Sequence, residues 1–240
     1  VWTTTRGVYT SRNVFGRIDR VWAEGLTRPY RIRVTTLDTT RLDMNALLPL
    51  WSPGLPNERA EALVKLATSE AFWRANGATM AAASDPQFDP ANERGSGGVW
   101  PFWLTLIGEG LIETGHADLA ADLVRRLLAA QTTVLASQKA FSEWYHSDAP
   151  TGHGETGHVA GVVPLHLLLR VLGVRVVSTR RVWTGGLFAW GASVTIRQHG
   201  VVIRRSAEGT DVTFPSGGVV RLEADAAWQE VNDPGAGPTR

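Results

Sequence analysis

With 240 residues, 43% of them hydrophobic, the chain is long enough for one large domain or two small ones, each able to bury a sizeable core. Lysine and arginine number 24 against 23 acids, a formal net charge of +1, so nothing electrostatic points to a nucleic acid or an anionic membrane surface as partner. No run of apolar residues is long enough to predict a membrane span, and zero cysteines exclude disulfides, thiolate nucleophiles and cysteine zinc sites while leaving the compartment unassigned, the cytoplasm being favoured. The first residue is Val1 rather than Met, and the sequence is expected to be an internal part of a longer one.

Residues 1–42 alternate polar with β-branched and aromatic side chains, as in the run Tyr30 to Thr35, and predict loops with short extended pieces. Asp43 can cap one short buried helix from Met44 to Trp51, stopped by Ser52 and Pro53. Asn57 can cap the next, in which Ala60, Leu63, Val64, Leu66 and Ala67 repeat at helical spacing and which is expected to end near Phe72 or Trp73. From Arg74 to Gly98 the chemistry is that of a loop, with Gly77, Asp85-Pro86, Asp89-Pro90 and a glycine-rich run. A loop of that length reads as the rim of a binding site.

A helix from Trp100 to Thr114, apolar nearly all round and closed by Gly115, is predicted to be an inner one. Asp118 to Leu135 reads as its amphipathic partner, and the short link between them makes the two antiparallel. A loop around Glu143 follows, then a further inner helix from about Gly157 to Leu172. After Gly173 the period changes from 3.6 to 2. Val194/Ile196, Val201/Ile203, Val212/Phe214 and Val219/Arg221 are separated by glycine-bearing turns, which predicts an antiparallel meander. The Pro/Gly-rich tail 232–240 is expected to fray. The expected organisation is a helical domain over 1–175, a small β extension over 176–231 and that tail.

Ten tryptophans against three tyrosines direct attention to stacking ligands, although most of the ten are expected to be wedges between packed elements. The stretch from Phe141 to Gly152 places Glu143 beside Trp144 and Tyr145, just before a Pro150-Thr151-Gly152 turn. Aromatic faces stack on the C–H face of a pyranose, and a carboxylate among them can take a proton from water. The structural alternative is a buried Glu that caps or pairs. Trp100, opening its helix after a glycine turn, and Trp144 are the leading platform candidates; Trp103, one turn further in, reads as core packing before it reads as platform.

Several separated stretches together resemble the catalytic domain of glycoside hydrolase family 63, whose relatives include mannosylglycerate and glucosylglycerate hydrolases and trehalases. They are Leu47 to Trp51 followed by Glu58-Arg59-Ala60; Phe72-Trp73 with Gly77; the two Asp-Pro pairs; Gly98 to Pro101; and Phe141, Glu143, Tyr145 with Pro150-Thr151-Gly152. The resemblance covers roughly residues 1–175. It implies a mainly α fold, the C-terminal half of an (α/α)6 toroid, and inverting hydrolysis of α-glycosidic bonds with Glu143 as general base. It also implies that the general acid is an Asp upstream of Val1, in the other half of the toroid, which would be the partner of this chain. The family often carries an Arg where this chain has Ser96, and Arg94 is the candidate substitute.

Inversion needs two carboxyl groups about 6.5–9.5 Å apart with water between base and sugar. Asp85, Asp89 and Glu155 could assist as acids, though loop carboxylates commonly cap or stay solvated. His146, His153, His158 and His166 lack an HExxH pattern and do not make a metal site, and no phosphate loop or cofactor motif is present. The function read from sequence is hydrolysis of a small α-glucoside or α-mannoside, with Glu143, Trp100, Trp144, Tyr145, Arg94 and Trp103 as site residues and no metal or cofactor. The rival readings are an inactive or sugar-binding half-domain that needs a complementary partner, and a helical scaffold for protein binding.

Overall fold

The structure, a computed structural model, describes residues 19–22, 24–25, 42–92, 96–157, 159–162, 164–224 and 226–235. It separates into two units, residues 1–39 and 40–240. The first contains only six of the described residues, none in a helix or strand, so the extended pieces expected over 1–42 lie almost wholly outside the described residues.

In the second unit Asp43 caps as expected, its Oδ1 accepting the Asn45 N–H at 2.9 Å. The expected single helix after it is two 3-10 turns, Met44–Ala46 and Leu48–Trp51. Pro49 near the start of the second turn has no N–H to give, and the bonds that form span three residues, Leu47 N–H to Met44 and Leu50 N–H to Leu47. Helix α1 spans Asn57–Ala67, capped by Pro56 rather than Asn57. It ends well short of Phe72 because the hydroxyls of Thr68 and Ser69 donate back to the carbonyls of Val64 and Leu66. The stretch that follows contains a small antiparallel hairpin, β1 Trp73–Arg74 with β2 Gly77–Ala78.

Helix α2, Pro101–Glu113, starts with a proline at its first position and is joined by Gly115, at φ +88°, to α3, Ala117–Gln138. Leu104, Ile107 and Leu111 of α2 and Leu123, Val124, Leu127 and Val134 of α3 share one buried cluster with Met44, Leu47, Leu50 and Phe72. Next come the antiparallel strands β3 Ser142–Tyr145 and β4 Gly152–Thr156, a 3-10 turn Val159–Gly161, and a short α4, Leu165–Val171. The long inner helix expected from Gly157 is therefore cut to two turns. Gly157 at φ +74° is not helical, and Pro164 starts α4 as its N-cap.

The remainder is β structure. Strands β5 Val174–Ser178, β6 Arg181–Thr184 and β11 Gln229–Asn232 form one sheet in the order β11-β6-β5. The meander read from the alternation is present as β7 Val194–Gln198, β8 Val201–Ser206, β9 Gly209–Thr213 and β10 Val219–Leu222, in the order β10-β9-β8-β7. Val174, Val182 and Val231 from the first sheet and Val201, Ile203, Val212 and Phe214 from the second make a separate core. The buried Arg205 of β8 joins this part to the helical part: its guanidinium donates to the carbonyls of Leu172 and Gly173 at the end of α4, each at 2.8 Å, and to that of Gly186.

The expectation of a mainly α chain, half of an (α/α)6 toroid, is overturned. Among the described residues four α-helices share the chain with eleven strands in four small antiparallel sheets. The resemblance and the apolar character of residues 157–172 favoured helix; glycine and proline punctuation and local pairing favoured strands and turns, and they decided the outcome.

Candidate active site

Strands β3 and β4 pair Ser142 with Thr156 and Trp144 with His153. One residue of β3, Glu143, thus faces two of β4, Gly154 and Glu155. This is a β-bulge, a device that re-aims a side chain. The half-buried Glu143 turns its carboxylate toward the bulged strand, where Oε2 accepts the Glu155 N–H at 3.2 Å. Among the described residues no cation pairs with it.

Trp144 and Tyr145 are more deeply set than their place in an aromatic cluster suggested. Trp144 is 1% exposed. Its indole lies nearly parallel to Trp100, centroids 6.2 Å apart, and to the His153 imidazole at 4.5 Å, 14° between planes in both cases. Gly98 abuts the same indole: a Cβ there would stand 2.5 Å from a ring carbon, so no larger residue fits. Among the described residues the buried indole N–H meets no acceptor. Trp100 is half-buried and is thus the more open of the two indoles. It is placed by the residue before it, since Val99 and Tyr145 exchange two backbone hydrogen bonds, 2.8 and 2.9 Å.

Tyr145 is fully buried. Its hydroxyl donates to the Gly161 carbonyl at 2.8 Å, which also accepts from Gln131 Nε2 at 2.5 Å. Burial pushes this phenol above its ordinary value against the opposing pull of the Ser142 amide and Gln131. Tyr145 therefore locks β3 to α3 and the turn before α4. Trp103 packs half-buried against the helical core and meets Phe102 edge-on at 5.7 Å. Arg94 lies outside the described residues, as does His158.

Of the candidate acids, Asp85 Oδ1 accepts the Gln87 N–H at 2.7 Å and Asp89 Oδ1 the Ala91 N–H at 2.9 Å. Both close Asx turns that shape the rim loop. Glu155 is exposed. His146 Nδ1 accepts the N–H groups of Asp148 and Ala149, at 3.0 and 2.9 Å, which places the proton of the neutral ring on Nε2. The His153 imidazole is held below its ordinary value by burial first and by His146 second, with Asp89 acting the other way. Among the described residues no group of three or more His, Asp or Glu side chains could hold a metal ion.

The supports of this hairpin that the sequence did not reveal are Arg74, Asn76 and Asp148. Asn76 Nδ2 donates to the carbonyls of His146 and Ala149 at 2.8 and 2.9 Å, and Arg74 grips the Asp148 carboxylate. The one signal for Asn76 is its place before Gly77, a tight-turn pair; nothing local ties it to residues 70 positions away. Two hollows, of about 670 and 290 Å³, lie elsewhere, the first beside Trp51, Glu109 and Arg170 and the second beside Arg204 and Asp211. Glu143 lines neither of them.

Comparison with known proteins places this hairpin. The family described as the mannosylglycerate hydrolase MGH1-like glycoside hydrolase domain matches residues 2–159. The chain belongs to this glycoside hydrolase family. Its members' domain thus covers the rim loop, α2, α3 and the β3–β4 hairpin, and stops ahead of α4 and the two-sheet β part. Among solved structures, the family 63 mannosylglycerate hydrolase from Thermus thermophilus, in complex with glucose, is 22% identical over 55% of this chain, with a TM-score of 0.43. The chain spans 30% of that protein's length. No curated protein matches. The resemblance read from the sequence, to glycoside hydrolases that include the mannosylglycerate hydrolases, agrees with this family match.

Proposed function

We propose that this glycoside hydrolase domain supplies the general-base side of an inverting site for a small α-glucoside or α-mannoside, with Glu143 as the base. The observation that carries the reading is the placement of Glu143: a carboxylate turned out of a β-ladder by a bulge, oriented by one backbone N–H, next in sequence to an indole stacked between Trp100 and His153. An ionised carboxylate so held can accept a proton from a water molecule attacking the anomeric carbon, and the half-buried Trp100 offers ring surface to the sugar. Trp144 and Tyr145, closed off from solvent, act by holding Glu143 and Trp100 in register. The acid that protonates the leaving oxygen is assigned to a segment outside this chain.

The test is turnover of mannosylglycerate and glucosylglycerate by the complete protein and by its Glu143→Gln variant. Loss of a general base lowers turnover by roughly 100-fold or more, and the first-formed sugar should carry the opposite anomeric configuration to the substrate by NMR. Near-normal turnover in the variant removes the assignment.

One observation favours the rival reading of a sugar-binding half-domain needing a complementary partner. Asp85 and Asp89 each commit an oxygen to a turn of the rim loop, the capping role that competes with service as a general acid. Tryptophan quenching by trehalose or glucosylglycerate without turnover by the chain alone, restored to turnover when the upstream segment is supplied, is the signature of that case.

A further inference from the structure

We propose that Gly154 and the backbone of Glu155 are positioning elements for Glu143, the bulge supplying the hydrogen bond that orients its carboxylate and the bare Cα of Gly154 leaving the space it occupies. The inference rests on the reading of Glu143 as base and extends it to two residues of the opposite strand.

The register makes the case. In an uninterrupted antiparallel ladder the N–H of each second residue points to the partner strand's backbone. The extra residue in β4 breaks that alternation, so the Glu155 N–H leaves the ladder and points at Glu143 Oε2, 3.2 Å away. Such a bulge uses a residue in the left-handed region, and Gly154 sits at φ +75°. The glycine is also required by space. A Cβ on Gly154 would stand 2.5 Å from Glu143 Oε2, 2.8 Å from Glu143 Cβ and 3.0 Å from Trp144 Cδ1. The carboxylate could swing away from that atom; the Glu143 Cβ and the Trp144 ring, fixed on a buried strand, could not. A side chain at 154 therefore displaces the carboxylate and lengthens its bond to the Glu155 N–H.

Gly157 provides the control. It has nearly the same backbone angle, φ +74°, and nothing within 4 Å of a Cβ built on it, so Gly157→Ala carries the backbone strain without touching Glu143. Among the described residues the titratable groups around the bulge are His146, His153, Glu155 and, from the rim loop, Asp89; an alanine at 154 adds no charge to them.

The experiment is steady-state turnover by the complete enzyme. Gly154→Ala should lower kcat roughly tenfold to a hundredfold with KM nearly unchanged, while Gly157→Ala leaves both in place. Added to Glu143→Gln, Gly154→Ala should lower the residual turnover no further, because the group it positions is already lost. An unchanged kcat in Gly154→Ala, an equal loss in Gly157→Ala, or losses that simply add overturn the proposal. Should Gly154→Ala not fold, Gly154→Asn carries the same test, since asparagine tolerates the left-handed region while still adding a Cβ. Normal turnover in Glu143→Gln would sink the catalytic reading instead; the positioning is then decided by a crystal structure of Gly154→Ala, in which a Glu155 N–H still on the Glu143 carboxylate overturns it.

Discussion

Arg74 holds both carboxylate oxygens of Asp148 across 74 residues of sequence, Nε standing 3.2 Å from each and Nη2 3.0 Å from Oδ2. Arg74 also receives at its own carbonyl the guanidinium of Arg126 from α3, at 3.0 Å. The small β1–β2 hairpin is thereby a strut between α3 and the turn that joins β3 to β4. Without the strut, the turn that carries His146 and leads into His153 would be fixed only by its own short bonds and by Asn76.

This pair gives the hairpin an acid-sensitive link. Burial raises the Asp148 carboxyl, but the bonds from Arg74, Ser147 and the Ala75 N–H, together with the Arg74 charge, outweigh it and hold the group below its ordinary 3.8. A depressed folded value means that the unfolded chain binds more protons, so the stabilisation is complete above pH 3.8 and is lost as pH falls through the folded value. Both side chains are partly exposed, 33% and 40%, which limits the contribution to about 1 kcal/mol or less. Asp148→Asn should flatten the stability curve below about pH 4 by that amount, read from urea midpoints at successive pH values. An unchanged acid limb would show that the pair contributes nothing.

Trp100 and Trp144 should separate cleanly in their effects. Trp144 is sealed between two rings and Gly98, so Trp144→Ala empties a buried space and should cost about 3–5 kcal/mol. Trp100→Ala removes a half-buried ring, and its main effect should fall on ligand binding. One lost stacking face is worth about 0.5–1.5 kcal/mol, roughly a threefold to tenfold weaker titration with trehalose or glucosylglycerate. If Trp100→Ala lowers the melting temperature as much as Trp144→Ala while leaving sugar binding intact, Trp100 is a core wedge and the platform must be sought elsewhere.

The contrast between those two rings also shows what the sequence could convey. Spacing and helix-stop chemistry located α2 and α3 within a few residues, and strict alternation located the β7–β10 meander, because those signals are local and repeat. Glu143 could be singled out because carboxylate and aromatics are adjacent in the chain. Burial of Trp144 was hidden: it depends on Gly98, Trp100 and His153 arriving from both sides, the first two through the Val99–Tyr145 bridge and the third through the β3–β4 ladder. Strands β5, β6 and β11 were missed for a similar reason. Val174-Arg175-Val176-Val177 and Arg181-Val182-Trp183 alternate too briefly to stand out, and β11 pairs with β6 across nearly fifty positions.

Tyr145→Phe should be mild despite complete burial. The Gly161 carbonyl that loses the phenol keeps the amide of Gln131 at 2.5 Å, so no acceptor is orphaned. The Ser142 N–H loses only a long contact of 3.4 Å. A cost of about 1 kcal/mol is expected from urea unfolding, the usual net worth of one hydrogen bond. Gln131→Leu together with Tyr145→Phe leaves the buried carbonyl bare and should exceed the sum of the two single losses. Simple additivity would mean that the two donors do not share the acceptor.

Arg205 should be the most costly polar residue to replace in the β part. It is 2% exposed and its guanidinium finds no carboxylate among the described residues; it bonds instead to three backbone carbonyls, of Leu172, Gly173 and Gly186, beneath the Phe188 ring at 5.3 Å. Two of these carbonyls end α4, where the helix leaves acceptors unsatisfied and its dipole favours a cation. Arg205→Met keeps much of the bulk but takes the guanidinium from the Leu172 and Gly186 carbonyls, while that of Gly173 keeps the Thr184 hydroxyl at 2.8 Å; it should destabilise by about 3 kcal/mol or more, counting charge-assisted bonds at about 1.5–3 kcal/mol each. Arg205→Lys should recover only part of this, since a single ammonium cannot span carbonyls on both sides of the planar fork. A methionine variant as stable as the parent in thermal unfolding would mean that this junction is held by the apolar contacts around it and that the buried guanidinium is a passenger.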